Sequence, residues 1–238
     1  MGRTLARLHQ RQMYRSRRVS GSAQGPWLEV DGRRLLNFCS NDYLGLANEP
    51  RVAEAFSTAV RRWGTGSGAS PLVCGYTEAH EALEQALARF TGRPRALLFG
   101  SGYAANMGVI PALLGQHDVL FQDRLNHASL IDGARISQAR CHWYAHADAD
   151  DLAARLADAG PARRRLIVSD GTFSMDGDLC PLDSLVALAQ KHEAWLMIDD
   201  AHGLGVHGPG GRGCVDPSRH GVDAVQVLVG TLGKAFGT

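Results

Sequence analysis

Five short apolar runs punctuate this chain: ALLF at 96–99, VLF at 119–121, LIVS at 166–169, WLMID at 195–199 and VQVLV at 225–229. Runs this short, with no polar residue on alternate positions, read as strands buried on both faces. Amphipathic patterns at about 103–114, 148–159 and 182–193 separate several of them. Strands that alternate with helices predict an α/β fold, a mostly parallel sheet flanked by helices. Upstream, WLEVDGRRLLNF predicts a β-hairpin turning at Asp31–Gly32, and residues 47–63 and 78–90 read as helices. In the second of these, Ala79, Ala82, Leu83, Ala86, Leu87 and Phe90 share one face. No internal repeat or low-complexity linker divides the chain. The expected organisation is an N-terminal arm with a small hairpin over 1–46 and one large α/β domain over 47–238.

A sheet of this kind binds ligands beyond the carboxyl ends of its strands. Polar motifs stand at those places: GSGYAAN after the first run, DRLNHASL after the second, DGTFSMDGD after LIVS, DDAHGLGVHG after WLMID, and GTLGK after the last. Five such motifs are expected to converge on one cleft.

Bulk composition narrows the class of ligand. A formal net charge of +1 favours neither nucleic acid nor an anionic membrane, and no apolar stretch approaches membrane-spanning length. Cys39, Cys74, Cys141, Cys180 and Cys214 form no C-x-x-C pair and read as free thiols in the cytoplasm. The first 28 residues hold six arginines and no acid, which suggests a transit peptide or a basic arm. The run continues without a break into folded-looking sequence, which favours the arm.

Of 25 basic side chains only Lys191 and Lys234 are lysines. Lys191 points away from the apolar face formed by Leu182, Leu185, Val186 and Ala189 and reads as a solvated surface residue. Lys234 follows a buried strand among small residues. It does not belong to a phosphate-binding P-loop: Leu228 occupies the position of that motif's first glycine and Ala235 follows the lysine. A structural lysine on a loop and a Schiff-base amine remain. The other strand ends favour the amine, because they supply what pyridoxal 5′-phosphate needs. Asp199 is an anion for the pyridine nitrogen, with Asp200 directed to the other side of the strand. His202 is a donor for the phenolic oxygen and His127 an imidazole face to stack on the ring. Gly102 and Tyr103 offer N–H groups at a helix start for the phosphate, and Ser174 and Thr231 add hydroxyls. Asp199 and His202 lack a convincing third partner for a metal.

The stretches NFCSNDYLGLA, SGYAAN, NHASLIDGAR, DGTFSMDGD, DDAHGLGVHGPGGRG and GTLGKAFG together resemble the α-oxoamine synthases, pyridoxal-phosphate enzymes of the aspartate-aminotransferase fold. The resemblance runs from about residue 11 to the end. It implies that Lys234 carries the cofactor covalently and acts as general base, with Asp199, His202 and His127 in the roles above. It implies cofactor contacts from Gly102, Tyr103, Ser174 and Thr231. It places Arg15, and less directly Asn41, beside the substrate. Within the family, the motifs point to condensation of L-alanine with a pimeloyl thioester, on CoA or on an acyl carrier protein, by a homodimer. Condensation of glycine with acetyl-CoA is the runner-up, and a non-catalytic homologue retaining the fold is the reading from a different class. Family members continue past the lysine through the rest of the large domain and a small C-terminal domain. The 238 residues are therefore expected to hold the active-site half, without synthase activity or solubility of their own.

Overall fold

The computed structural model describes residues 2–238; Met1 lies outside the described residues. Two compact units are present, one ending at Ser40 and one spanning Asn41–Thr238. The first holds helix α1 (Gly2–Gln10) and the antiparallel hairpin of β1 (Trp27–Val30) and β2 (Arg33–Leu36). Its two-residue turn is the expected one. Asp31 and Gly32 both adopt positive φ, 52° and 71°, the geometry that matches the twist of a two-strand ribbon.

In the second unit, helices α2 (Pro50–Trp63) and α3 (Glu78–Thr91) precede α4 (Gly102–Leu113). Then come β3 (Val119–Asp123), α5 (Ala128–Ser137), β4 (Arg140–Tyr144), α6 (Ala149–Asp158), β5 (Arg165–Asp170), α7 (Leu182–Lys191), β6 (Trp195–Asp199) and β7 (Val227–Val229). The five strands β3–β7 form one sheet in the order β4-β3-β5-β6-β7, and every pairing is parallel. Strand periodicity divides the apolar runs between two cores. Val119, Phe121, Ile167, Leu196 and Ile198 face α6 and α7, packing with Leu152, Leu156 and Leu185. Leu120, Leu166, Val168 and Met197 face α4 and α5, packing with Ile110, Leu130 and Ala134. Burial on both faces explains why these strands carry no alternating polar residues.

Two expectations are corrected. Residues 96–99 form no strand: Leu97 is 76% exposed, and the segment is held to α3 by the Leu98 N–H donating to Glu84 Oε1 at 3.0 Å. Strand β4 supplies the edge instead. Its sequence, RCHWY, is half exposed and too polar to register as an apolar run. Helix α5 was also not expected from periodicity, because its buried face consists of Ser129, Leu130, Gly133, Ala134 and Ser137.

Small residues on α5 bring it against α4. A methyl group at Gly133 would lie 2.8 Å from the Asn106 carbonyl oxygen and 3.0 Å from Ile110 Cδ1. We therefore expect Gly133→Ala to force the two helices apart and cost roughly 1–3 kcal/mol. Gly115→Ala, where a methyl would meet nothing within 4 Å, serves as the neutral control. Thermal denaturation of the two variants checks the difference.

Candidate active site

The carboxyl ends of β3, β5, β6 and β7 bring together residues from distant parts of the sequence. Register places Asp170 beside Asp199 on adjacent strands. Both carboxylates are buried, each only 5% exposed. Asp199 accepts at both oxygens: Asn106 Nδ2, from α4, donates to Oδ2 at 2.6 Å, and the Ala201 N–H donates to Oδ1 at 3.0 Å. Asp170 Oδ2 accepts from the His127 N–H at 2.6 Å. Asn126 ties the same loop to β5, donating to the Val168 carbonyl and accepting from the Asp170 N–H, both at 3.0 Å. Asp200 turns to the other side of the strand, where its Oδ2 accepts from the Cys214 N–H at 2.8 Å.

Lys234 follows β7 and is half-buried. Burial lowers the pKa of its amine, against the opposing pull of Asp199 and Asp170. The half-buried His202 is pushed down to about 4 by burial, then by the positive charge of Lys234 and by His127. His202 is therefore a neutral imidazole at physiological pH. Its Nδ1 lies 2.7 Å from the Tyr43 hydroxyl, which is itself 3.2 Å from Asn41 Oδ1.

The imidazole of His127 is exposed at the N-cap of α5. Its Nδ1 lies 2.7 Å from Ser129 Oγ and accepts from the Ser129 N–H at 3.3 Å. Tyr103 packs edge-on to it, with ring centroids 6.4 Å apart, and is hydrogen-bonded to Asp132. At the start of α4, Ser101 Oγ accepts from the Ala104 N–H at 3.1 Å. Helix geometry leaves the N–H groups of Gly102 and Tyr103 without intrahelical partners. A methyl at Gly102 would lie 3.9 Å from Thr231 Cβ, so the loop preceding Lys234 faces this helix start.

Lys234, Asp199, His127 and His202 thus form one electrostatic cluster, with Asn41 joined through Tyr43, and Gly102 and Thr231 stand together. Ser174 is exposed in the loop after β5, and Lys191 is exposed on α7. Arg15 is exposed in the N-terminal unit. Sequence reasoning missed Asp170, Asn106, Ser129 and Tyr43 as members of the site. All four lie inside the motifs DGTFSMDGD, SGYAAN, NHASL and SNDYLGL, and their polar type in such company was the available signal.

With this geometry in hand, residues 33–238 match the aminotransferase class I and II family. The chain belongs to that family. Its curated relatives include 8-amino-7-oxononanoate synthase of Methylococcus capsulatus, 58% identical over 98% of this chain and 60% of the relative. The enzyme of the same name from Nitrosococcus oceani is 57% identical over 97% of this chain and 62% of its own length. The chain thus spans about three fifths of the curated relatives it matches. Among solved structures, Sphingomonas wittichii serine palmitoyltransferase superimposes with a TM-score of 0.88 at 34% identity, covering 100% of this chain and 59% of that one. A serine palmitoyltransferase described with a PLP internal aldimine gives 0.87 at 32% identity, covering 93% of this chain and 56% of the other. The architecture of this family member is that of the large domain of fold type I PLP-dependent transferases.

Asp170 gives the site a testable pH signature. Burial, and then the neighbouring charge of Asp199, pushes its carboxyl up to about 7. The folded state therefore holds a proton that the unfolded chain releases at an ordinary carboxylate pKa of about 4. Stability falls as pH rises between these values and is lowest above the upper one. Asp170→Asn keeps an acceptor for the His127 N–H and removes the titration. In thermal-shift measurements on the full-length apoprotein, this variant should gain more over wild type at pH about 8 than at pH about 5.

Proposed function

We propose that the protein containing this chain is an 8-amino-7-oxononanoate synthase, a PLP-dependent acyltransferase of biotin biosynthesis. It condenses L-alanine with pimeloyl-CoA or a pimeloyl carrier protein. The observation that carries this reading is Lys234, a half-buried amine beside two buried carboxylates at the ends of β5 and β6. Relatives at 57–58% identity bearing that name support the choice of reaction.

The residues present fit the cofactor. Asp170 and Asp199 place two buried carboxylates beside one amine, so a cationic ring N–H at Asp199 would relieve the excess negative charge. His202 is neutral and can share a hydrogen with a phenolic oxygen. The unpaired N–H groups at the start of α4 suit a phosphate. When bound, pyridoxal 5′-phosphate supplies an electron sink for the pair left on the substrate's α-carbon.

The chain's own residues account for the rest. Lys234 is the attachment point for the cofactor's aldehyde, and its amine, with a pKa lowered by burial, takes the alanine α-proton. Asp199 would pair with the ring nitrogen and keep it protonated. His127 would stack on the ring and help orient the substrate. Gly102, Tyr103, Ser174 and Thr231 hold the cofactor, and Arg15 and Asn41 contact substrate. A bond forms between the alanine α-carbon and the thioester carbonyl carbon. The thiolate leaves and is protonated as CoA or carrier, the alanine carboxylate leaves as carbon dioxide, and the electron pair left on the α-carbon takes up a proton. We further propose a cytoplasmic homodimer. Among the described residues no helix is long and apolar enough to cross a membrane. The exposed Phe56, Leu72, Val73 and Leu97 offer apolar area for a second subunit.

Product analysis on the full-length protein tests this reading. L-alanine with pimeloyl thioester should be turned over far better than glycine with acetyl-CoA; equal or reversed preference would move the assignment to the glycine-using relative. Lys234→Ala should abolish turnover and borohydride-trapped cofactor, whereas Lys191→Ala should change neither.

A further inference from the structure

Between Asp199 and His127 runs a continuous line of hydrogen bonds. Asn106 Nδ2 donates to Asp199 Oδ2 at 2.6 Å and to Ser129 Oγ at 2.9 Å, and Ser129 Oγ lies 2.7 Å from His127 Nδ1. Asn106 is fully buried and Ser129 is 1% exposed, so neither group has water as an alternative partner.

The direction of each bond follows from the one before. A carboxylate accepts and does not donate, so the Asn106 amide must present its NH₂ to Asp199. That orientation is kept although it leaves Asn106 Oδ1 buried without a partner. The same NH₂ faces Ser129, so the hydroxyl oxygen accepts from it. The hydroxyl hydrogen is then free for His127 Nδ1. The Ser129 N–H points at the same nitrogen from 3.3 Å. Two donors converge on Nδ1, so in the neutral imidazole the proton resides on Nε2.

We propose that Asn106 and Ser129 are positioning residues that lock His127 in its Nε2–H tautomer and fix it relative to Asp199. The exposed edge of His127 is thereby a hydrogen-bond donor. It is suited to an anionic or carbonyl oxygen of the substrate rather than to a proton donor. This use of the tautomer rests on the proposed function, but the tautomer itself does not. The close approach of α4 and α5 at Gly133 lets the short Asn106 and Ser129 side chains meet.

The test is ¹⁵N-histidine NMR of the full-length apoprotein, at a pH where imidazoles are neutral. The His127 signals are assigned by their loss in His127→Asn. Wild type should show Nε2 protonated and Nδ1 as an unprotonated acceptor. Ser129→Ala leaves only the long backbone N–H at Nδ1 and should move the signals toward a mixture of tautomers. Asn106→Leu should do the same by freeing the Ser129 hydroxyl to turn away. If Asn106→Leu does not fold, Ser129→Ala decides alone. A His127 protonated at Nδ1 in wild type would overturn the proposal, as would an unchanged tautomer in Ser129→Ala. A wild-type protein that takes up no PLP would refute the proposed function, and the tautomer would still be read from the apoprotein.

Discussion

A buried carboxylate at the end of a central strand is the constraint around which this site is organised. Asp199 is removed from water, and an anion there is tolerated only if donors replace the lost hydration. Asn106 and the Ala201 N–H supply them from two sides. Asn106 reaches it from α4, at the point where α4 lies close to α5, whose buried face carries Ser129, Gly133, Ala134 and Ser137 beside Leu130. His127 caps α5, and its backbone is held by Asp170, the register partner of Asp199. One electrostatic requirement thus reaches the helix packing, the loop after β3 and the ring of His127.

The same crowding sets the chemistry of the basic groups. Lys234 and His202 share a partly dehydrated space, and burial disfavours the charged form of each. The lysine is offset by two carboxylates, whereas His202 has the lysine's own charge against it and becomes neutral. An amine whose charged form is disfavoured by burial, near a neutral imidazole, suits the attachment site of a carbonyl cofactor. Neither state needs any group from outside the Asn41–Thr238 unit.

Much of this was legible in the sequence, for identifiable reasons. VLF, LIVS and WLMID are buried on both faces, so their uninterrupted apolar character declared them strands. The polar residues at their ends placed His127 and Asp199 at strand ends, whereas Asp170, inside the motif after LIVS, carried no distinguishing signal of its own. The run at 96–99 misled because four apolar residues in a row also occur where a loop lies over a helix. Strand β4 escaped notice because an edge strand carries charge and polarity. The hydrogen-bond line through Asn106 and Ser129 was not legible at all, since it depends on a helix–helix distance. The meeting of Tyr43 with His202 joins positions 159 residues apart, and no local pattern encodes it.

The most direct measurement is equilibrium titration of the full-length apoprotein with pyridoxal 5′-phosphate, comparing wild type with Asp199→Asn. Replacing the carboxylate by an amide of the same shape removes one charge-assisted bond. On the order of a ten- to hundredfold loss in cofactor affinity should follow. Wild-type affinity in Asp199→Asn would contradict the central role given to this carboxylate.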